Sequence, residues 1–280
     1  MTDAREAAAL SAATCAALRP GGGQVAGALP QARQGDVRRG LLILGSKPDP
    51  VLPPRASYDA VGCANASGYS AAVHGLPTPR FTVMSAILPA VESGRQSLRA
   101  LAGQRTDTLY FFPRPRAPRR LKQLTSLFSL VRMQPFYLRR MLRHNGYSYA
   151  QFVARDHGYY DHLIRELCDY DRDMLRHIDC KQPSTGAMAL AIALAEQPFE
   201  RYILSGFSFE LTHAYGENPE IDQRRSKVSR HAETDAAVMG YLARKFGNIF
   251  TTEATVHERA GVPFLPVATQ THALSRGDEE

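Results

Sequence analysis

Lys181-Gln182-Pro183-Ser184-Thr185-Gly186 runs directly into the apolar stretch Ala187–Ala195, and Tyr202-Ile203-Leu204-Ser205-Gly206-Phe207 follows it. Ser is a favoured helix N-cap, and Gly lets a neighbouring group approach the backbone. The helix that starts here is small and apolar nearly all round, which predicts a buried helix. The short apolar run after it predicts a central strand. Working outward, Leu41-Leu42-Ile43-Leu44 is a second apolar run, stopped by Gly45-Ser46-Lys47-Pro48. Asp59–Asn65, Phe81–Met84, Thr108–Phe112 and Asn248–Thr251 read as further strands, with helical patterns at Ala90–Leu101 and His231–Phe246. Strand–helix alternation of this kind predicts an α/β domain, an open, mostly parallel, Rossmann-like sheet with helices on both faces. Ligands in such sheets lie beyond the carboxyl ends of the strands, so the turns after Leu44, Cys63 and Leu204 are the places for a site.

With 280 residues and 44% hydrophobic content, the chain can bury a full core. Residues 1–39, rich in Ala, Gly, Gln and Arg, read as a mobile tail, residues 40–270 as one domain and residues 271–280 as a loose acidic end. Within the domain, residues 212–230 are polar, as expected of a mobile lid. No run reaches the ~20 apolar residues that span a bilayer. Asp3, Arg5 and Glu6 interrupt any secretory apolar region, so a cytoplasmic location is expected. Cys15, Cys63, Cys168 and Cys180 include no C-x-x-C pair and read as buried or incidental thiols. Cys168, His177 and Cys180 match no standard zinc spacing.

The net charge is +7, and its excess is concentrated. Arg114, Arg116, Arg119, Arg120, Lys122, Arg132, Arg139, Arg140 and Arg143 fall in residues 113–147, where the alternation breaks. Leu121, Leu124, Leu127, Phe128 and Val131 share one helical face there, so the segment is a basic helical insertion. It serves as a small subdomain with a solvated basic face, or as a surface against an anionic membrane.

Several residues suit chemistry. Taken alone, Ser184-Thr185-Gly186 is an ordinary helix cap, or an anion site built from bare N–H groups and hydroxyls at a positive helix end. His231 is an exposed residue at a helix start, or a base beside that site. Asp169, Asp171 and Asp173 form overlapping Asp-x-Asp units, a solvated helix face or a metal site serving a diphosphate leaving group. His157, Tyr159, Tyr160 and His162 pack, or stack on a sugar. No phosphate-binding G-x-x-x-x-G-K-[ST] loop and no G-x-G-x-x-G after a strand is present, which argues against an ATPase or an NAD enzyme.

The order Pro-Ser-Thr-Gly, small apolar helix, strand ending Leu-Ser-Gly, polar loop, then His231-Ala232-Glu233-Thr234-Asp235 resembles the sialyltransferases. It is similar both to the S motif of the animal enzymes (glycosyltransferase family 29) and to the bacterial glycosyltransferase family 42. Leu41–Gly45 and Asp59–Asn65 fit the families' opening strands, with Asn65 where they place a nucleotide-binding Asn. Gly45-Ser46-Lys47-Pro48 departs from the usual Gly-Asn-Gly or Gly-Asn-Ser, leaving Ser46 as the nearest polar substitute. Ser208 and Glu210 stand where the bacterial family has an acidic residue and a Tyr, and the later Tyr maps to Tyr215, with His213 nearby. The resemblance covers roughly residues 40–110 and 180–255.

That resemblance implies a GT-A-variant domain and an inverting transferase. Its donor would be a CMP-activated keto-sugar, sialic acid or a relative such as Kdo, and its acceptor a surface glycan or glycolipid. No metal or other cofactor is expected. Gly45, Ser46, Asn65, Ser184, Thr185, Gly186 and Gly206 would hold the donor, Tyr215 and His213 the leaving phosphate, and His231 would be the base. An anionic membrane surface is a further expected partner, on the inner face, and nucleic acid is not. The competing readings are a metal-dependent transferase using a nucleotide-diphosphate sugar through Asp169, Asp171 and Asp173, and a non-catalytic basic protein that binds membrane or nucleic acid.

Overall fold

Strand β1 (Arg38–Leu44) alternates the side chains of Leu41, Leu42, Ile43 and Leu44 between two buried faces. Leu41 and Ile43 enter one apolar cluster and Leu42 and Leu44 another. Both faces exclude water, which is why the run carries no polar alternation. The computed structural model describes residues 38–113, 130–212 and 228–265. After β1 come β2 (Ala60–Ala64), α1 (Ser67–Val73), β3 (Phe81–Ser85), α2 (Glu92–Ala100), β4 (Arg105–Phe112), α3 (Pro135–His144) and β5 (Ser148–Ala154). They are followed by α4 (His157–Leu167), α5 (Arg172–Cys180), α6 (Thr185–Glu196), β6 (Phe199–Ser205), α7 (Ala232–Phe246), β7 (Ile249–Thr251) and α8 (Ala254–Ala260).

The described strands form one seven-stranded sheet in the order β5-β4-β3-β2-β1-β6-β7, and every pairing is parallel. The α/β, Rossmann-like class expected from the sequence is the observed one. From β1 the strands step outward to β5, and β6 then returns to the other side of β1. The strand order therefore reverses between β1 and β6, where the two following turns diverge and open a crevice. Leu44 is level with Ser205 on one side and Cys63 on the other, so the turns after all three strands emerge together.

Helix α6 lies on β1, β2 and β3 and is covered in turn by α4 and α7. Surrounded on every side, it buries Thr185 and all of Ala187–Ala193. On the opposite face Leu98, Leu101, Leu138 and Leu142 pack on Met84, Leu109 and Phe111.

Cys180, read from the sequence as an incidental thiol, is disulfide-bonded, and two strands also differ from the sequence reading. β1 begins at Arg38, inside the expected tail. β5 was not expected: it is an edge strand whose residues are half-buried or exposed, so it lacks the continuous apolar run of a central strand. The remainder of the 1–39 tail, residues 114–129 of the basic insertion, 213–227 of the lid and the 271–280 end lie outside the described residues.

Candidate functional site

The crevice floor is main chain against main chain. Gly45 N–H donates to Ser205 O at 2.8 Å and Lys47 N–H to Gly206 O at 2.9 Å. A methyl group on Gly45 would collide with the Gly206 carbonyl, and Gly206 itself has φ +73°, so both positions require glycine. The buried carboxylate of Glu253, just after β7, ties this floor together. Its Oε1 accepts from Gly206 N at 2.8 Å and Val51 N at 2.9 Å, and its Oε2 from Lys47 Nζ at 2.7 Å. Nothing in the sequence marks Glu253, because all its partners come from distant turns.

Asn65 forms one wall. It ends β2 in a left-handed conformation (φ 55°), which Asn tolerates better than most residues. Its Oδ1 accepts from Ser85 N at 3.0 Å, so the amide NH2 is its remaining donor.

The opposite wall is the Ser184 turn. Ser184 Oγ accepts from Gly186 N (3.1 Å) and Ala187 N (3.3 Å), the N-cap geometry. Ser184 N–H donates to Asp235 Oδ1 at 2.7 Å. Three of the N–H groups at this turn, those of Ser184, Gly186 and Ala187, are therefore engaged within the protein, and a carboxylate already sits on Ser184 N. What the turn offers a ligand is its hydroxyls and the positive helix end.

Gly186 lets the turn close on the β6 loop, since an added methyl would lie 2.6 Å from the Phe207 ring. His231 is the cap residue of α7, and its Nδ1 lies 2.7 Å from Gln182 O. A carbonyl oxygen only accepts, so Nδ1 carries the proton and the basic lone pair of the neutral ring is on Nε2.

The rim is polar with one strained residue. Ser46 Oγ and Thr212 Oγ1 are 3.3 Å apart. Phe209 has φ 56°, a costly conformation for a bulky residue, held by Ser229 N–H donating to Phe209 O at 2.9 Å and by a Glu210–Val228 antiparallel bridge. The Arg259 guanidinium lies 5.2 Å from its ring centre.

A cavity of about 180 Å³ brings these parts together, lined by Gly45, Ser46, Asn65, Ser184, Thr185 and Gly186, and by Gly206, His231 and Asp235. Ala64, Phe207, Ser208, Phe209, Glu210 and Ser229 complete its lining. Of the expected site residues, His213 and Tyr215 lie outside the described residues.

The other sequence candidates stand elsewhere. Asp171 caps α5, accepting from Asp173 N and Met174 N. Asp173 pairs with Arg176, and Asp169 with Lys245. The Lys245 hydrogen bond holds the Asp169 carboxyl below the usual carboxylate range. None of the three lines the cavity, and among the described residues no group of three or more His, Cys, Asp or Glu is arranged to hold a metal ion. Asp156 caps α4, Tyr160 is buried, and Tyr159 donates to Glu196, so that aromatic stretch packs. Cys63 and Cys168 are buried free thiols, each pushed by burial up to about 12, too high for a thiolate nucleophile at neutral pH.

No protein-family model matches the chain, and no curated protein matches it by sequence. In structure it is similar to the sialyltransferase CstII from Campylobacter jejuni in complex with cytidine-5'-monophosphate, at TM-score 0.47 and 14% identity over 85% of this chain and 89% of that one. It is similar to the sialyltransferase CST-II in complex with trisaccharide acceptor and CMP, at TM-score 0.45 and 13% identity over 81% and 86%. It is also similar to the monofunctional alpha-2,3-sialyltransferase Cst-I from Campylobacter jejuni, at TM-score 0.45 and 11% identity over 87% and 90%, and in each case the likeness is one of overall fold.

Proposed function

We propose that the protein is an inverting glycosyltransferase that moves sialic acid or a related keto-sugar, such as Kdo, from its CMP-activated form to a glycan acceptor. The observation that carries this reading is one cavity at the β1/β6 reversal lined by the Gly45-Ser46 turn, Asn65, the Ser184–Gly186 turn and His231. In this reading the Asn65 amide NH2 and the hydroxyls of Ser46, Ser184 and Thr185 bind the donor. The positive end of α6 favours its phosphate and its sugar carboxylate. Tyr215 and His213 are assigned to the leaving phosphate.

The acceptor hydroxyl attacks the anomeric carbon on the face opposite the leaving CMP. As the C–O bond to the acceptor forms and the bond to phosphate breaks, His231 Nε2 takes the hydroxyl proton. The leaving group is a phosphate monoester that hydrogen-bond donors stabilise, so the reaction as proposed needs no divalent metal.

A thermal-shift series against CMP, CDP, UMP and UDP, each with and without Mn²⁺, tests the donor class. CMP is expected to stabilise the protein most, with no gain from Mn²⁺, and CMP release from CMP-sialic acid is expected to survive EDTA. Stabilisation by a diphosphate only with Mn²⁺ overturns this reading.

We also assign the outer face of α3 to the anionic inner face of a membrane. Phe136, Arg139, Arg140, Arg143 and His144 fall on one exposed helical stripe with no acidic residue among them. Each exposed basic residue there contributes about 1 kcal/mol to such binding. Arg139, Arg140 and Arg143 changed together to Glu are expected to abolish cosedimentation with phosphatidylserine vesicles; unchanged sedimentation refutes the assignment.

A further inference from the structure

The strap between α5 and α6, residues Lys181 to Ser184, is fixed at separate points. Lys181 N–H donates to His177 O at 3.0 Å, and Ser184 N–H to Asp235 Oδ1 at 2.7 Å. Between them Gln182 Nε2 lies 2.8 Å from His157 Nε2, at the first turn of α4. Its carbonyl is the group that meets His231 Nδ1 at 2.7 Å. His231 and Asp235 are one helical turn apart on α7, so the start of that helix grips the strap at two places.

Pro183 follows Gln182, which disfavours helical conformations at Gln182. The far end of the Gln182 amide, Oε1, is enclosed and finds no donor among the described residues. The contact with His157 is therefore the hold on that side chain. It suits either form of the His157 ring: the amide NH2 donates to a bare ring nitrogen, and a turned-over amide accepts from a protonated one.

We propose that His157 and Gln182 form a positioning relay for His231. His157 holds the Gln182 side chain, and the Gln182 carbonyl holds the His231 ring, which lines the cavity, with its proton on Nδ1 and its lone pair on Nε2. The proposal rests on the reading of His231 as the base, but the ring's proton position can be measured without any substrate. His157 and Gln182 line no part of the cavity, so they act through His231 and touch no reactant. A tautomer change, or a shift of the ring by about 1 Å, costs up to ~10²-fold in rate.

The test uses the full chain labelled with ¹⁵N-histidine, in the wild type and in His157→Phe, His157→Gln and Gln182→Met. In the wild type the neutral His231 ring is expected to show a protonated Nδ1 and an unprotonated Nε2. In His157→Phe and Gln182→Met the two tautomers are expected to mix. CMP release from CMP-sialic acid should then fall ~10-fold or more in kcat with the donor KM unchanged. His157→Gln, which can still bond the amide, should restore both signals.

A His231 spectrum identical to wild type in both His157→Phe and Gln182→Met overturns the relay, whatever His231 does in the reaction. A rate loss that His157→Gln fails to recover also overturns it. Wild-type turnover in His231→Ala overturns the base assignment instead, so the two failures are distinguishable.

Discussion

His231→Ala is expected to lower CMP release from CMP-sialic acid by ~10²–10⁴-fold while leaving CMP affinity within about twofold of wild type. The reasoning separates holding the donor from moving the proton. Asn65 follows β2 and the Ser184 turn opens α6, both packed in the sheet core, and the turn keeps its own cap and its Asp235 bond when the His231 ring is removed. The ring does contribute one structural bond, Nδ1 to Gln182 O, and its loss should lower the unfolding free energy by only ~1 kcal/mol. A His231→Ala protein that folds, binds CMP and turns over normally would remove the base from the mechanism. One that no longer binds CMP would place His231 in the donor site instead.

The second large effect is expected away from the reacting groups. Glu253→Leu leaves Gly206 N–H buried with no acceptor, returns the N–H of the exposed Val51 to water and removes the partner of Lys47. The stranded N–H costs ~1–3 kcal/mol. Lys47 is about a third exposed and recovers part of its loss from water, so its share is small. The sum, ~2–4 kcal/mol, corresponds to a fall in Tm of about 10 °C and to loss of CMP binding as the floor of the crevice opens. Glu253→Gln keeps one carbonyl oxygen for the two N–H donors and should lose only ~1–2 kcal/mol. Calorimetry on both variants checks the ranking. Equal, small losses would mean that Glu253 merely fills space.

The frame was readable from residue order because the reasons for it are local. Leu41–Leu44 and Tyr202–Leu204 are buried on both faces, so their composition is unambiguous. The Ser184 turn carries its cap in its own side chain, and Ser184 Oγ does cap Gly186 and Ala187. Long-range pairing was not readable. The Asp235 carboxylate on Ser184 N, and the set of N–H groups around Glu253, join segments that only the folded sheet brings together. At Asp169, Asp171 and Asp173 the spacing left two readings open, a solvated helix face and a metal site, and there the chain places a helix cap and ion pairs with Arg176 and Lys245. The strained backbone of Phe209 left no trace in composition, because Phe is not a residue that favours φ > 0.

The contact between Gly45 and Gly206 has an evolutionary corollary. Because those two turns touch without side chains, no substitution there can retune which molecule is accepted without breaking the scaffold. Diversification is thereby confined to the entrance, at Ser46, Ser208 and Glu210, where exchanges alter recognition and leave the foundations alone. Descendants of such a chain would inherit an invariant base and a freely editable doorway.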